Sequence, residues 1–187
     1  LILFLCSAFF CFALRTKDLK PALLQNNTDS EKYVDLLNRR AMLMYETNVD
    51  STFYYTTKAR TIAERIGYKQ GKADALNNLG VFFDIKGNSQ MALRYYNAGY
   101  MAYQALKDSS NAVQATMNIA MVYGQMGRHS KAVQYFDIAL NHAKQLSQDS
   151  ILSLVIYNYL LSYPDKFKQD STTWYINKVK EIASKYK

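Results

Sequence analysis

The side chains best suited to molecular recognition are four asparagines that recur every forty residues: Asn38, Asn78, Asn118 and Asn158. A carboxamide both donates and accepts hydrogen bonds, so a row of them can pair with the backbone of an extended peptide. The same amides could instead bond to neighbouring helices and order the fold, and the sequence leaves both interpretations open. A period of this length indicates stacked units of secondary structure and not one globular core.

Seven further side chains are candidates for the same ligand-binding surface. They are predicted to flank the asparagines on successive helices: Asp74, Asn77, Asp84, Gln114, Met121, Gln125 and Tyr157. We call these seven residues and the four asparagines the candidate face. Its members between 71 and 108 are polar and mildly acidic, so a basic clamp for the C-terminal carboxylate of a peptide is not expected there.

Catalytic and metal-binding chemistry has little support in the sequence. His129 and His142 are the two histidines, and their spacing does not fit an ordinary metal pair. Ser, His and Asp are present, but nothing arranges them as nucleophile, base and orienting group. No glycine-rich phosphate loop is present, because Gly67 and Gly71 read as turn residues. The sequence therefore predicts a chain that is not an enzyme and that uses no metal or cofactor.

Composition favours an all-helical protein. A hydrophobic content of 49% with 20% charged residues excludes wholesale disorder, and 7 Gly with 2 Pro leave little turn chemistry for a sandwich or barrel. The net charge of +8 raises the question of nucleic acid as a partner. The basic residues are scattered and do not interleave with aromatic residues that could stack on bases, so no nucleic-acid partner is expected.

The uncharged segment 1–14 has the length of a signal-peptide apolar region and is short for a membrane span. We expect a signal peptide or an N-terminal anchor here. Because it lacks an initiator Met and a basic lead-in, we also expect that residues precede it. Both cysteines, Cys6 and Cys11, fall in this segment, so the rest of the chain has no disulfide. The prediction is an exported protein that is periplasmic or anchored facing the periplasm.

After a polar leader at 15–30, the chain alternates between two kinds of amphipathic helix. First helices are predicted at 32–47, 71–86, 111–126 and 151–163, and second helices at 50–66, 89–107, 129–147 and 171–186. Connections this short make consecutive helices antiparallel. Gly87 and Gly127 are predicted to end first helices, and Ser89, Ser130, Ser150 and Ser171 to cap helix starts. The array then comprises four units, at 31–68, 71–108, 111–148 and 151–187.

Aromatic pairs recur on the second helices. The pairs are Tyr54–Tyr55, Tyr95–Tyr96, Tyr135–Phe136 and Trp174–Tyr175. One member of each pair is predicted to be buried, and the other to be partly exposed on the outer side.

A pattern of large apolar, Leu-Gly, aromatic, then Ala and aromatic residues runs through the two central units. The second unit carries it at Leu76, Leu79, Gly80, Phe83, Ala92 and Tyr96, and the third unit at Ile119, Ala120, Tyr123, Ala132 and Phe136. This pattern resembles the tetratricopeptide repeat. The resemblance implies an all-α, right-handed solenoid of about four antiparallel helix hairpins, whose first helices line a concave surface. The candidate face would lie on that surface.

The segment 63–80 is similar to long tetratricopeptide units in the exported sensor regions of bacterial histidine kinases and membrane-tethered transcription regulators. This similarity implies a protein- or peptide-binding array outside the cytoplasm that forms the input part of a signalling protein. The array is then expected to continue beyond Lys187, and any membrane contact would be through the N-terminal anchor or a later span. Two alternatives stay open: a self-contained secreted scaffold, or a histidine kinase whose catalytic domain lies outside this sequence. The oligomeric state is not predicted.

Overall fold

The computed structural model describes residues 30–146, 148–163 and 169–184. The predicted signal segment at 1–14 and the leader up to residue 29 lie outside the described residues. Among the helices that are described, none combines the length and the hydropathy that crossing a membrane requires.

Residues 30–108 contain four helices and belong to one compact unit, which we call the first compact unit. The helices are α1 (Glu31–Met44), α2 (Val49–Ile66), α3 (Lys69–Ile85) and α4 (Ser89–Ala105). The hairpin partners α1 and α2 pack together, as do α3 and α4, and α3 also packs on both α1 and α2. The first compact unit is therefore two stacked helical hairpins.

Residues 109–184 belong to the second compact unit, which also contains four helices in its described part. They are α5 (Ser109–Gln125), α6 (His129–Gln145), α7 (Asp149–Ser162) and α8 (Gln169–Ser184). Helix α7 packs on α5, α6 and α8, and α5 packs on α6. The first helices α5 and α7 of this unit are thus direct neighbours.

The predicted all-helical fold is confirmed over the described residues, where each predicted helix is present. The predicted bounds are correct to within three residues, and the largest difference is at the end of α1, predicted at 47 and found at Met44. Hydrophobic periodicity locates a helix well, whereas its last turn depends on local capping.

The predicted serine caps are wrong at three helix starts. Ser89 is the first residue of α4, and Ser130 and Ser150 are the second residues of α6 and α7. The cap of α4 is Asn88, whose Oδ1 accepts a hydrogen bond from the Met91 amide at 3.1 Å. An Asn side chain offers a hydrogen-bond acceptor as Ser does, so Asn88, one position before Ser89, caps the helix. The predicted cap at Ser171 is wrong as well, because Ser171 is the third residue of α8, which begins at Gln169.

Four helix ends are closed by a residue in the left-handed region. These residues are Gly67 (φ 72°), Gly87 (φ 73°), Lys107 (φ 59°) and Gly127 (φ 71°). In each case the next amide bonds to the carbonyl five residues back, as in Asn88 to Phe83 (2.8 Å) and Asp108 to Tyr103 (2.9 Å). Gly87 and Gly127 end first helices as predicted. Lys107 is the one non-glycine residue with positive φ in the described chain, and this conformation costs a lysine about 1 kcal/mol.

Two of the four aromatic pairs follow the predicted alternation. In the pairs Tyr54–Tyr55 and Trp174–Tyr175 one member is exposed and the other is half-buried, so the prediction of a buried member is wrong there. Tyr96 and Phe136 are 2% and 0% exposed, whereas their neighbours Tyr95 and Tyr135 are half-buried. In the second compact unit the Phe136 ring stacks on the Tyr159 ring at 4.8 Å between centroids. Bulky rings at these positions fill the space beside the small residues of the hairpin, and this packing stabilises each unit.

Candidate functional site

Two members of the asparagine row form a hydrogen-bonded ladder inside the first compact unit. Asn38 on α1 and Asn78 on α3 are 5% and 4% exposed. The Nδ2 of Asn38 donates to the Gly71 carbonyl at 2.9 Å. The Nδ2 of Asn78 donates to the backbone carbonyl of Asn38 at 3.2 Å and to its Oδ1 at 3.3 Å. These amides therefore link α3 to α1. This is the alternative in which the asparagines bond to neighbouring helices and order the fold.

The other two asparagines lie in the second compact unit and differ from each other. Asn158 on α7 is 1% exposed, and its Nδ2 donates to the Leu154 carbonyl at 2.8 Å within the same helix. Asn118 on α5 is half-buried. The side chains of Asn38, Asn78 and Asn158 are covered by helix packing, so in this structure they are not open to a ligand. A ligand role for Asn118 stays a prediction.

Asp74 of the candidate face is half-buried on α3 and belongs to a polar cluster. Its Oδ1 accepts hydrogen bonds from the Tyr103 hydroxyl at 2.9 Å and from Gln70 Nε2 at 3.2 Å. The same Gln70 nitrogen donates to Asp108 Oδ2 at 3.0 Å. Burial raises the pKa of Asp74 to about 6, against the opposing effect of the two hydrogen bonds. We call Gln70, Asp74, Tyr103 and Asp108 the Asp74 cluster.

The two remaining members of the candidate face in the first compact unit are Asn77 and Asp84. Both are half-buried on α3. The Oδ1 of Asn77 is shielded from solvent and has no hydrogen-bond partner among the described residues. The backbone of Asn77 lies against Gly99, where an added Cβ would be 3.3 Å from the Asn77 nitrogen. Helices α3 and α4 therefore approach closely at this point, and a ligand role for Asn77 and Asp84 stays a prediction.

Of the four further members of the candidate face in the second compact unit, Gln125 and Tyr157 are exposed, and Met121 and Gln114 are half-buried. Met121 packs on the core, and Tyr157 is 38% exposed. The amide of Gln114 donates to Asn111 Oδ1 at 3.1 Å. Leu161, one turn after Tyr157, is 51% exposed. It lies on the same side of α7 as Tyr157.

We call Met121, Gln125, Tyr157 and Leu161 the α5–α7 face. Sequence reasoning missed Leu161, because the segment around it is apolar on every side and no polar stripe marks the solvent. Its one signal is the forty-residue step that relates Leu161 to Met121, a member of the candidate face.

The histidines show no metal-site geometry. His129 is exposed, and its Nδ1 is 3.1 Å from the Tyr163 hydroxyl. His142 is exposed on α6. Over the residues that the structure describes, no group of three or more His, Cys, Asp or Glu side chains is placed to hold a metal ion.

We expect Asn78→Ala to lower the free energy of unfolding by about 1–2 kcal/mol, because it removes the link to α1 and leaves Asn38 Oδ1 without its donor. The matched variant Asn118→Ala, at the half-buried equivalent position, should cost less than about 0.5 kcal/mol. Urea denaturation of both variants measures the difference. Equal losses would show that the ladder does not carry the stability assigned to it.

Comparison with known proteins finds one matching repeat family and solved structures with a similar fold. Residues 113–141, from α5 into α6, match the tetratricopeptide repeat family. BtubC (BKLC) from P. vanneervenii superimposes with a TM-score of 0.67 at 17% identity, covering 90% of this chain and 71% of that one. A Podosopora anserina protein assigned as a kinesin light chain, with nearly identical TPR-like repeats, gives 0.57 at 13% identity, covering 90% and 85%.

No curated protein matches the sequence. Identities of 17% and 13% show a shared fold and nothing about shared partners. Residues 113–141 are thus a tetratricopeptide repeat, and the chain has a tetratricopeptide-like fold.

Proposed function

We propose that the chain is a protein-binding module that holds a peptide segment of its partner on the α5–α7 face. Tetratricopeptide repeats generally mediate protein–protein interaction, and residues 113–141 are such a repeat. The observation that carries the proposal is the exposure of Tyr157 (38%) and Leu161 (51%) on the first helix α7, which packs on α5, where Gln125 is also exposed. Exposed apolar side chains are suited to anchor a peptide, and an exposed amide on the neighbouring helix is suited to pair with its backbone.

The contributions of this face are of two kinds. Covering the exposed parts of Tyr157 and Leu161 contributes about 1 kcal/mol each, since full burial of such side chains is worth about 1.5–3 kcal/mol. Gln125 supplies a donor and an acceptor that set the direction of the peptide. Met121 is flexible and adapts to side chains of different shape. Association also costs translational and side-chain entropy, so a short segment should bind with modest affinity.

We expect the double variant Tyr157→Ser/Leu161→Ser to weaken peptide binding by about tenfold or more, because about 1.4 kcal/mol of anchor burial is a factor of ten. Peptides selected from a display library on the full chain serve as ligands, and fluorescence anisotropy gives their Kd. Met101→Ser is the matched control, because Met101 is 67% exposed in the other compact unit. It should leave the Kd unchanged.

Two results would count against the proposed binding face. The first is a set of selected peptides that bind the double variant as tightly as the wild type. The second is a library from which no peptide is enriched on the folded chain. Circular dichroism of each variant shows that loss of binding does not come from loss of the fold.

We further propose that the module works outside the cytoplasm, as the input part of a signalling protein. The uncharged segment 1–14 and the similarity of 63–80 to exported sensor units support this role. Repeat arrays couple mainly between neighbours, so a bound peptide can shift the population of bent and straight forms. Reading the codons after Lys187 tests it: a membrane span followed by a kinase or helix-turn-helix domain supports signalling, and an immediate stop codon supports the scaffold alternative.

A further inference from the structure

The Asp74 carboxyl occupies a junction between helices of the first compact unit. It projects from α3 toward α4, where the Tyr103 hydroxyl donates to Oδ1 at 2.9 Å. Gln70, one turn earlier on α3, donates to the same oxygen at 3.2 Å. Because both bonds end on Oδ1, a proton can be carried on Oδ2 without breaking either of them.

The charged groups that act on Asp74 are other carboxylates. Asp108, just after α4, accepts from the same Gln70 nitrogen at 3.0 Å, so the two carboxylates share one amide group. Asp35 on α1 acts on Asp74 as well, and its Oδ1 accepts from the Tyr68 hydroxyl at 3.0 Å. The nearby Lys72 pairs with Glu64 at 3.1 Å. Ionised Asp74 therefore faces like charge from Asp35 on α1 and from Asp108 just after α4.

We propose that the Asp74 cluster makes the contact between α3 and α4 sensitive to pH, so that this hairpin is held more firmly in mildly acidic than in neutral solution. The reaction is uptake of one solvent proton at Asp74 and its release to solvent. Protonation removes the repulsion from Asp35 and Asp108 and the larger cost of a half-buried charge, while the Tyr103 and Gln70 bonds become weaker but are not broken. This pH sensitivity of the α3–α4 contact does not depend on which partner the protein binds.

The direction of the effect follows from proton linkage. Burial raises the pKa of Asp74 in the folded chain from 3.8 to about 6, and carboxylates of Asp35 and Asp108 add to the rise. The folded state therefore binds more protons than the unfolded state between these two values. The stabilisation is complete below the unfolded pKa and is lost as the pH rises through about 6. The folding equilibrium constant should fall by up to about 100-fold across this window, since each pKa unit corresponds to a factor of ten.

The wild-type full chain gives the first test without any substitution. Carbon-13 NMR of the aspartate carboxyl groups should show one titration with a midpoint near 6. Amide hydrogen exchange in α3 and α4 should be slower at pH 5 than at pH 7.5, after correction for the intrinsic exchange rate. A midpoint of Asp74 near 4, as for an exposed aspartate, would overturn the proposal.

Asp74→Asn provides the second test, because Asn keeps an acceptor for Tyr103 and Gln70 and cannot ionise. The variant should lose the fall in stability between pH 5 and pH 7.5 in urea denaturation, and its exchange in α3 and α4 should no longer depend on pH. Asp137→Asn is the matched control: Asp137 also accepts from a tyrosine, Tyr159, at 2.7 Å, but it is exposed. If Asp74→Asn keeps the pH dependence of the wild type, or Asp137→Asn removes it, the cluster is not the cause. Peptide binding is measured in neither test, so these results are independent of the proposed function.

Discussion

Replacing Phe136 with alanine is expected to lower the free energy of unfolding of the second compact unit by about 3–5 kcal/mol. Phe136 is 0% exposed and contacts rings from α7 and its end. Its ring stacks on Tyr159 with an interplanar angle of 8° and meets the edge of Tyr163 at 6.0 Å. Removal leaves a cavity between α6 and α7, and rings that are held on several sides do not collapse into it.

Thermal and urea denaturation of Phe136→Ala measure this loss, with Tyr135→Ala as the control. Tyr135 is the adjacent, half-buried member of the same aromatic pair, so its truncation removes a similar volume with less burial. We expect the control to cost less than half as much. Similar losses for the two variants would show that the assignment of inner and outer aromatic positions is wrong.

Gly80→Val is expected to destabilise the first compact unit by about 3 kcal/mol, because an added side chain overpacks the hairpin. A Cβ at this position would overlap the Tyr96 ring, at 2.8 Å from its Cγ and closer still to Cδ1 and Cε1. Tyr96 is 2% exposed, so its ring has no open space into which to turn. The glycine is required here by the close approach of α3 and α4, not by its backbone angles.

The control for Gly80 is Gly124→Val on α5. A Cβ at Gly124 would meet the Tyr163 hydroxyl at 2.9 Å, which is the far end of a flexible side chain. That ring can move aside, so we expect a loss of about 1 kcal/mol, close to the lower limit for overpacking. The melting temperatures of both variants check the contrast. Full tolerance of Gly80→Val would contradict the packing described for Tyr96.

The forty-residue period predicted the helices well because equivalent side chains must return to equivalent environments. Leu79 and Ile119, forty residues apart, are both buried at 1% exposure. The period says nothing about the direction that a shared position faces. For that reason the sequence could not decide whether Asn38 and Asn78 bind a ligand or form hydrogen bonds between packed helices. The structure shows that both are buried.

The left-handed backbone of Lys107 and two tyrosine–aspartate hydrogen bonds could not be predicted from the sequence either. Lysine has no preference for the left-handed region, so Lys107 was not predicted there. Its one indication is Gly67, which closes the equivalent helix end forty residues earlier. The hydroxyl bonds from Tyr68 to Asp35 and from Tyr103 to Asp74 join residues 33 and 29 positions apart. These separations follow no simple period, so a pattern search does not reveal them.

The link from Asn78 to Asn38 joins two residues of one type at the same place in consecutive repeats. Tandem duplication of a forty-residue segment copies the spacing that this contact requires, although Asn158, the last member of the row, donates within its own helix instead. Insertion of a single residue would turn the amide by about 100° around the helix axis and break the contact. Growth of the array by whole copies thus preserves the spacing on which this contact depends, whereas a small insertion before the amide would remove the contact.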